Sequence, residues 1–252
     1  METQIFLRTL LPLLEVVVAE RPIWRERISR TTADIDIRIA GSPLGTRLHL
    51  ERGSLAVTDD LTGEGDLTLW FRSHRALNRF FVGRPSLPRI RGAVRRPRLL
   101  WHLVGLLGQL RLLAPRTTLT RPADQALYVR LALYFITGAL VEMNRAGHPE
   151  MTALTENSPE RVYQWWVADQ DIGAYLRMHQ GQAWAGVGVY PHRRPFVKYT
   201  FPTAASAYRV LTTSGSQMDS VIRGDVRPEG SPEYSRKISI LMQRAEALMT
   251  GH

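Results

Sequence analysis

The chain has 252 residues, a formal net charge of +10, 44% apolar and 22% charged residues, and no cysteine. That length buries a core as one large domain or two small ones, and the apolar share excludes a disordered or low-complexity protein. The missing cysteine excludes a disulfide-stapled fold, a thiolate metal site and a cysteine nucleophile.

The opening segment METQIFLRTLLPLLEVVVAERP does not read as a signal peptide. Glu2 stands where positive charge belongs, and Arg8, Pro12 and Glu15 interrupt the apolar run. It reads instead as a helix over residues 3–19. DIDIRIA (34–40), TRLHLE (46–51) and GDLTLWF (65–71) alternate polar and apolar residues, the pattern of half-buried strands. Ser73 follows the last of these and precedes an apolar i, i+3, i+4 set, which makes it a helix N-cap. Ile90 and Val94 flank Gly92 in RIRGAV, a setting that suits a turn. RRPRLLWHLVGLLGQLRLL (95–113) couples arginine to an apolar helix, either a membrane-surface or lid helix or a core helix with arginines at its ends.

A long helix follows over residues 123–147. Its apolar stretch LALYFITGALVEM (131–143) falls short of the roughly 20 residues that cross a bilayer. The segment 149–166 leads on and carries adjacent Trp165 and Trp166. On a helix these would point about 100° apart, one to the core and one to an interface or ligand mouth. QAWAGVGVY (182–190) and FVKYTF (196–201) read as strands, and Thr203 as a second N-cap.

The two halves resemble each other. LTLWFRSHRALNRFF (67–81) with RIRGAV (89–94) matches VKYTFPTAASAYRVL (197–211) with VIRGDV (221–226). Phe71 falls on Phe201, Ser73 on Thr203 and Gly92 on Gly224. Each copy ends in an apolar series spaced 3, 4, 3: Leu100, Leu103, Leu107, Leu110, and Ile238, Leu241, Ala245, Leu248. The expected fold class is α+β: tandem units, each a mainly antiparallel sheet covered by helices. The expected division is residues 1–118, connecting helices over 119–160, and residues 161–252.

The strand ending at Phe201, the short helix after it, SQMDSVIRGDVRPEGSPEYSRKISILM and the C-terminal helix together resemble the sterol carrier protein 2 (SCP2)-like lipid-binding family. Residues 33–113 look like a more divergent copy. In that family the glycine of the turn precedes a helix that closes one end of an apolar tunnel. The resemblance implies binding or carrying of a sterol, isoprenoid or fatty acyl molecule, without a cofactor, and does not itself imply catalysis. Small residues (Ala183, Ala185, Gly186, Ala204, Ala207) among larger ones supply a ligand wall in the second copy. The expected ligand-binding residues are Trp184, Tyr199, Phe201, Tyr208, Met218, Ile222 and Met242.

No metal-ligand spacing, GxSxG elbow, Walker loop or dinucleotide fingerprint occurs. An enzyme alternative, an isomerase, cyclase or hydrolase acting on a small apolar substrate, would draw on His102, His179 or Asp171. A third reading is an accessory protein for lipid-modifying enzymes.

The charge is unevenly placed. Residues 1–120 hold 19 arginines against 11 acids, and no acid occurs between Asp66 and Asp124. The aromatics in that window sit at core-like spacings, which argues against nucleic acid. An anionic membrane surface or acidic lipid head group met by Arg91, Arg95, Arg96 and Arg98 fits a lipid carrier. So does a solvated face in an arginine-biased genome, since only Lys198 and Lys237 are lysines. The expected location is the cytoplasm, peripheral to a membrane.

Overall fold

The computed structural model describes residues 1–113, 118–156, 159–213 and 217–250, and the chain divides into two compact units, residues 1–114 and 115–250. The first unit opens with α1 (Glu2–Ile5), a π-helical turn (Phe6–Leu10) and α2 (Leu13–Glu20). Pro12 accounts for the turn. It has no N–H to return to the helix, and the Leu11 N–H bonds the Phe6 carbonyl across the wider loop. After α3 (Pro22–Ile28) come β1 (Thr32–Ile39), β2 (Gly45–Glu51), β3 (Ser54–Thr58) and β4 (Leu67–Phe71). Then follow α4 (His74–Phe81), β5 (Arg89–Arg91) and α5 (Pro97–Gln109).

The second unit repeats this plan. It runs α6 (Pro122–Arg145), α7 (Pro149–Thr155), β6 (Arg161–Val167), β7 (Ile172–His179), β8 (Gln182–Val187) and β9 (Val197–Phe201). It closes with α8 (Ala204–Thr212), the additional α9 (Gln217–Ile222), β10 (Arg227–Gly230) and α10 (Pro232–Thr250). The sheet orders are β3-β2-β1-β4-β5 and β10-β9-β6-β7-β8. In each, the first strand pairs antiparallel with the second and parallel with the fourth. The fold is therefore α+β, built of two mixed five-stranded sheets with helices.

The register makes the repeat a structural one. Phe71 lies opposite Ile39 and Phe201 opposite Val167, each at the end of its parallel ladder. The N–H groups of Ala40 and Ala168 bond the carbonyls of Phe71 and Phe201 in the same way. Ser73 accepts the Ala76 N–H and Thr203 the Ser206 N–H, so both expected N-caps are present.

The glycine match shifts. Gly230, not Gly224, occupies the position of Gly92: both have positive φ, and a Cβ at either would overlap the Asp66 or Phe196 carbonyl of the neighbouring strand. Gly224 lies instead in the turn between α9 and β10.

Several elements differ from what the sequence suggests. The helix α3 and the strands β3 and β7 were not expected. The long helix α6 belongs with α7 to the second unit, where it packs on β7 and β8 and against α8 and α10. Trp165 and Trp166 lie on the strand β6, so they point to opposite faces of the sheet. Trp165 is buried in the core and stacks on Tyr199 at 5.8 Å, while Trp166 is half-buried on the outer face.

The helix α6 is long and apolar enough to cross a membrane by length and composition, more so than its central stretch suggested, but 78% of its apolar window is buried inside the protein. That is the environment of a core helix.

Both sheets carry a polar residue at the same buried point of their outer face. Asp36 pairs with Leu67's neighbour Thr68 across the parallel ladder, and Gln164 with Lys198 in the same register. Asp36 accepts hydrogen bonds from Arg47, Arg38 and the Gly65 N–H, while Arg47 and Arg38 also donate to carbonyls of residues 61–63. Gln164 donates to the Trp165, Ala174 and Gly188 carbonyls and accepts the Tyr190 N–H. In both units this residue ties down the connection leading to the fourth strand.

Candidate functional site in the helical layer of the second unit

Alternation along the strands sends Tyr163, Trp165, Leu176, Met178, Tyr199 and Phe201 to one face of the second sheet, where all are buried. The helix α10 crosses this layer. Its Ile238, Leu241 and Ala245 are buried at a 3, 4 spacing that forms one helical stripe. The Tyr199 hydroxyl donates to the Ser235 carbonyl of α10 at 3.1 Å. The Tyr163 hydroxyl, on the same face, is buried and has no hydrogen-bond partner among the described residues.

Twelve residues beyond Tyr234, roughly 18 Å along α10, stands Glu246. Burial pushes its carboxyl above the ordinary range. Among the described residues it has no hydrogen bond and no ion pair. It acts on Tyr128 of α6, whose phenol is pushed up by burial first and then by the neighbouring Glu246 carboxylate. The Tyr128 ring meets that of Tyr208 from α8 edge-on at 5.1 Å, and the Tyr208 hydroxyl accepts the Leu119 N–H. The Tyr163 ring meets Phe196, and Phe196 meets Tyr234 at the start of α10, so an apolar stripe runs along α10 from the end near the buried Tyr163 hydroxyl to the half-buried Glu246.

Of the residues expected to bind ligand, Tyr199, Phe201, Tyr208 and Met242 belong to this layer of sheet and helices. Trp184 does not. It lies opposite Arg177 in the β7–β8 ladder, on the outer face, with the Arg177 guanidinium 4.9 Å from its ring centre. Met218 and Ile222 on α9 are 65% and 77% exposed. Glu246, Tyr128 and Tyr163 were not anticipated. The glutamate sits one turn after Met242, a spacing that could have flagged it.

The candidate acid–base residues are not brought together. Asp171 sits in the turn before β7 and His179 at its far end, roughly 25 Å away along an extended strand, and His102 belongs to the first unit. Burial, aided by Arg27, lowers the pKa of His102. No cluster of metal-binding side chains occurs among the described residues.

A separate polar cleft of about 420 Å³ opens on the second unit between Glu160, Arg193, Arg194, Lys198 and Glu229. Glu160 accepts hydrogen bonds from Arg177 and Tyr190 and pairs with Arg193 at 2.9 Å. Arg177 above all holds its carboxyl below the usual range. None of the seven expected ligand residues lines this cleft.

No family model matches the chain, and no curated protein does. Among solved structures it is similar to the stereoselective inverting sec-alkylsulfatase Pisa1 from Pseudomonas sp., at 15% identity and a TM-score of 0.28, over 61% of this chain and 28% of that one. A double mutant of the same sec-alkylsulfatase matches at 15% identity and a TM-score of 0.30, over 60% and 28%. The chain spans under a third of those enzymes' length, and a likeness this slight carries no argument about chemistry.

Proposed function

We propose that this chain binds an apolar, lipid-like molecule of the sterol, isoprenoid or fatty acyl class between the sheet and helices of the second unit, acting in the cytoplasm at the periphery of a membrane. The observation that carries the reading is the apolar stripe along α10, with the buried Tyr163 hydroxyl, which has no hydrogen-bond partner among the described residues, toward one end and the half-buried Glu246 toward the other. Buried polar groups are normally satisfied, and a ligand head group is one way to satisfy them. The resemblance of residues 161–252 to sterol carrier protein 2 supports the same reading.

A carboxyl with a raised pKa favours a hydroxyl-bearing head group over a carboxylate, because a second negative charge beside it is disfavoured. The test is a fluorescence titration of the full chain with dehydroergosterol and with cis-parinaric acid. The sterol is expected to bind more tightly, and Met242→Trp, a bulkier side chain at the half-buried position one turn after Ile238, weakens it about tenfold or more. Failure of both probes to bind, or binding that ignores Met242→Trp, contradicts the proposal.

A further inference from the structure

The arginine-rich segment of the first unit has a property that its charge alone does not explain. Leu87 is 93% exposed, Val94 96% and Trp101 75%. Single exposed apolar residues are ordinary, but these three lie within fifteen residues of each other, interleaved with arginines. The local structure holds them outward. β5 is an edge strand with all three residues exposed. The N–H groups of Arg95 and Arg96 turn back onto the Gly92 carbonyl, leaving Val94 at the tip. In α5, Leu99, Leu103 and Leu106 face the core, and Arg98 and Trp101 occupy the opposite arc.

The arginines are largely uncommitted. Arg91 pairs with Glu64 at 3.5 Å and Arg96 with Asp66 at 2.8 Å, whereas Arg89, Arg95 and Arg98 have no ion pair among the described residues.

The second unit supplies an internal comparison. With Gly92 matched to Gly230, Glu229 stands in place of Arg91, and one residue, Ser231, replaces the four of Ala93–Arg96 before the helix-starting proline. Glu233 follows in the first turn of α10. The fold therefore does not demand this surface. It is a feature added to one copy.

We infer that residues 87–101 of the first unit form a docking surface for an anionic lipid bilayer, with Val94, Leu87 and Trp101 entering the interface and Arg89, Arg95 and Arg98 meeting the head groups. Apolar side chains seated among cations match the layered chemistry of such an interface, where tryptophan sits at head-group depth. A nucleic acid would be met by the cations but would leave Leu87 and Val94 without a partner. This inference deepens the peripheral-membrane part of the proposed function and rests on residues of the first unit, whereas the ligand reading rests on residues of the second, so either can fail without the other.

The test is co-sedimentation of the full chain with vesicles of phosphatidylcholine alone and of equimolar phosphatidylcholine and phosphatidylglycerol, at low and high salt. Binding to the anionic vesicles that weakens with salt is expected. Arg89→Gln, Arg95→Gln and Arg98→Gln together should reduce it about 100-fold, from the usual contribution of each basic residue at such a surface. Trp101→Ser should reduce it about tenfold, and Trp101→Phe should restore most of that. Circular dichroism confirms that these surface variants fold. Lack of binding to anionic vesicles, equal binding to neutral ones, an unaffected triple variant, or arginine-dependent binding of duplex DNA in preference to vesicles overturns the inference.

Discussion

Asp36 and Gln164 occupy one position in two copies of a sheet, and both are wholly buried, yet one is charged and the other neutral. The difference follows from the residue opposite each on the second strand: Arg47 faces Asp36, and Tyr175 faces Gln164. Burial alone would raise the Asp36 carboxyl; hydrogen bonds and attraction from Arg47 and Arg38 outweigh it and hold the group below the usual range. Asp36→Asn would leave the almost buried Arg47 with only Asp34, at 3.6 Å, as counter-charge, and is expected to cost about 3 kcal/mol or somewhat less in chemical denaturation near pH 7. A lowered folded-state pKa stabilises above the ordinary carboxylate range, so the wild type's advantage should shrink as the pH falls through and below that range.

Glu246 is the reverse case. Its raised carboxyl favours the folded state at low pH and opposes it once the unfolded chain ionises. Glu246→Gln should therefore raise the thermal midpoint at pH 8 and leave it nearly unchanged at pH 4. A variant less stable at pH 8 would mean that the carboxylate has a partner.

Among the elements, β1, β2 and β4 were legible, whereas β3 and β7 were not, although each keeps one exposed or half-exposed face. DIDIRIA and GDLTLWF alternate because their outer faces carry polar residues. RVYQWWV does not, because Val162, Gln164 and, in part, Trp166 are covered on the outer face as well. A strand buried on both sides loses its period-2 signal, and β6 was missed for that reason. The caps were legible because a Ser or Thr between a strand and an apolar periodic run has one local use. Thr203→Ala should cost about 1 kcal/mol, measured by urea denaturation. The glycine match failed through string likeness: RIRG in the first copy resembles VIRG in the second, but backbone crowding selects RPEG. Of the expected ligand residues, strand parity alone separates Trp184 from Tyr199 and Phe201. It could be applied only with the β7–β8 pairing known.

At the scale of the molecule, the repeat extends to the helices before each sheet. The α1–α3 segment stands to the first sheet as α6 and α7 stand to the second, so the chain is two complete copies of one plan. The copies have diverged in complementary ways. The first carries the exposed arginine and apolar surface around Val94, and the second carries Tyr163 and Glu246, which have no hydrogen-bond partner among the described residues, in its helical layer. The two proposals divide between the copies accordingly: bilayer docking by the first and binding of a lipid-like molecule by the second. Lipid binding by the second unit is decided by native mass spectrometry of the purified full chain, before and after incubation with dehydroergosterol. A mass increment of one apolar molecule per chain is expected, diminished in Met242→Trp. A chain that carries no such molecule and acquires none on incubation would contradict it.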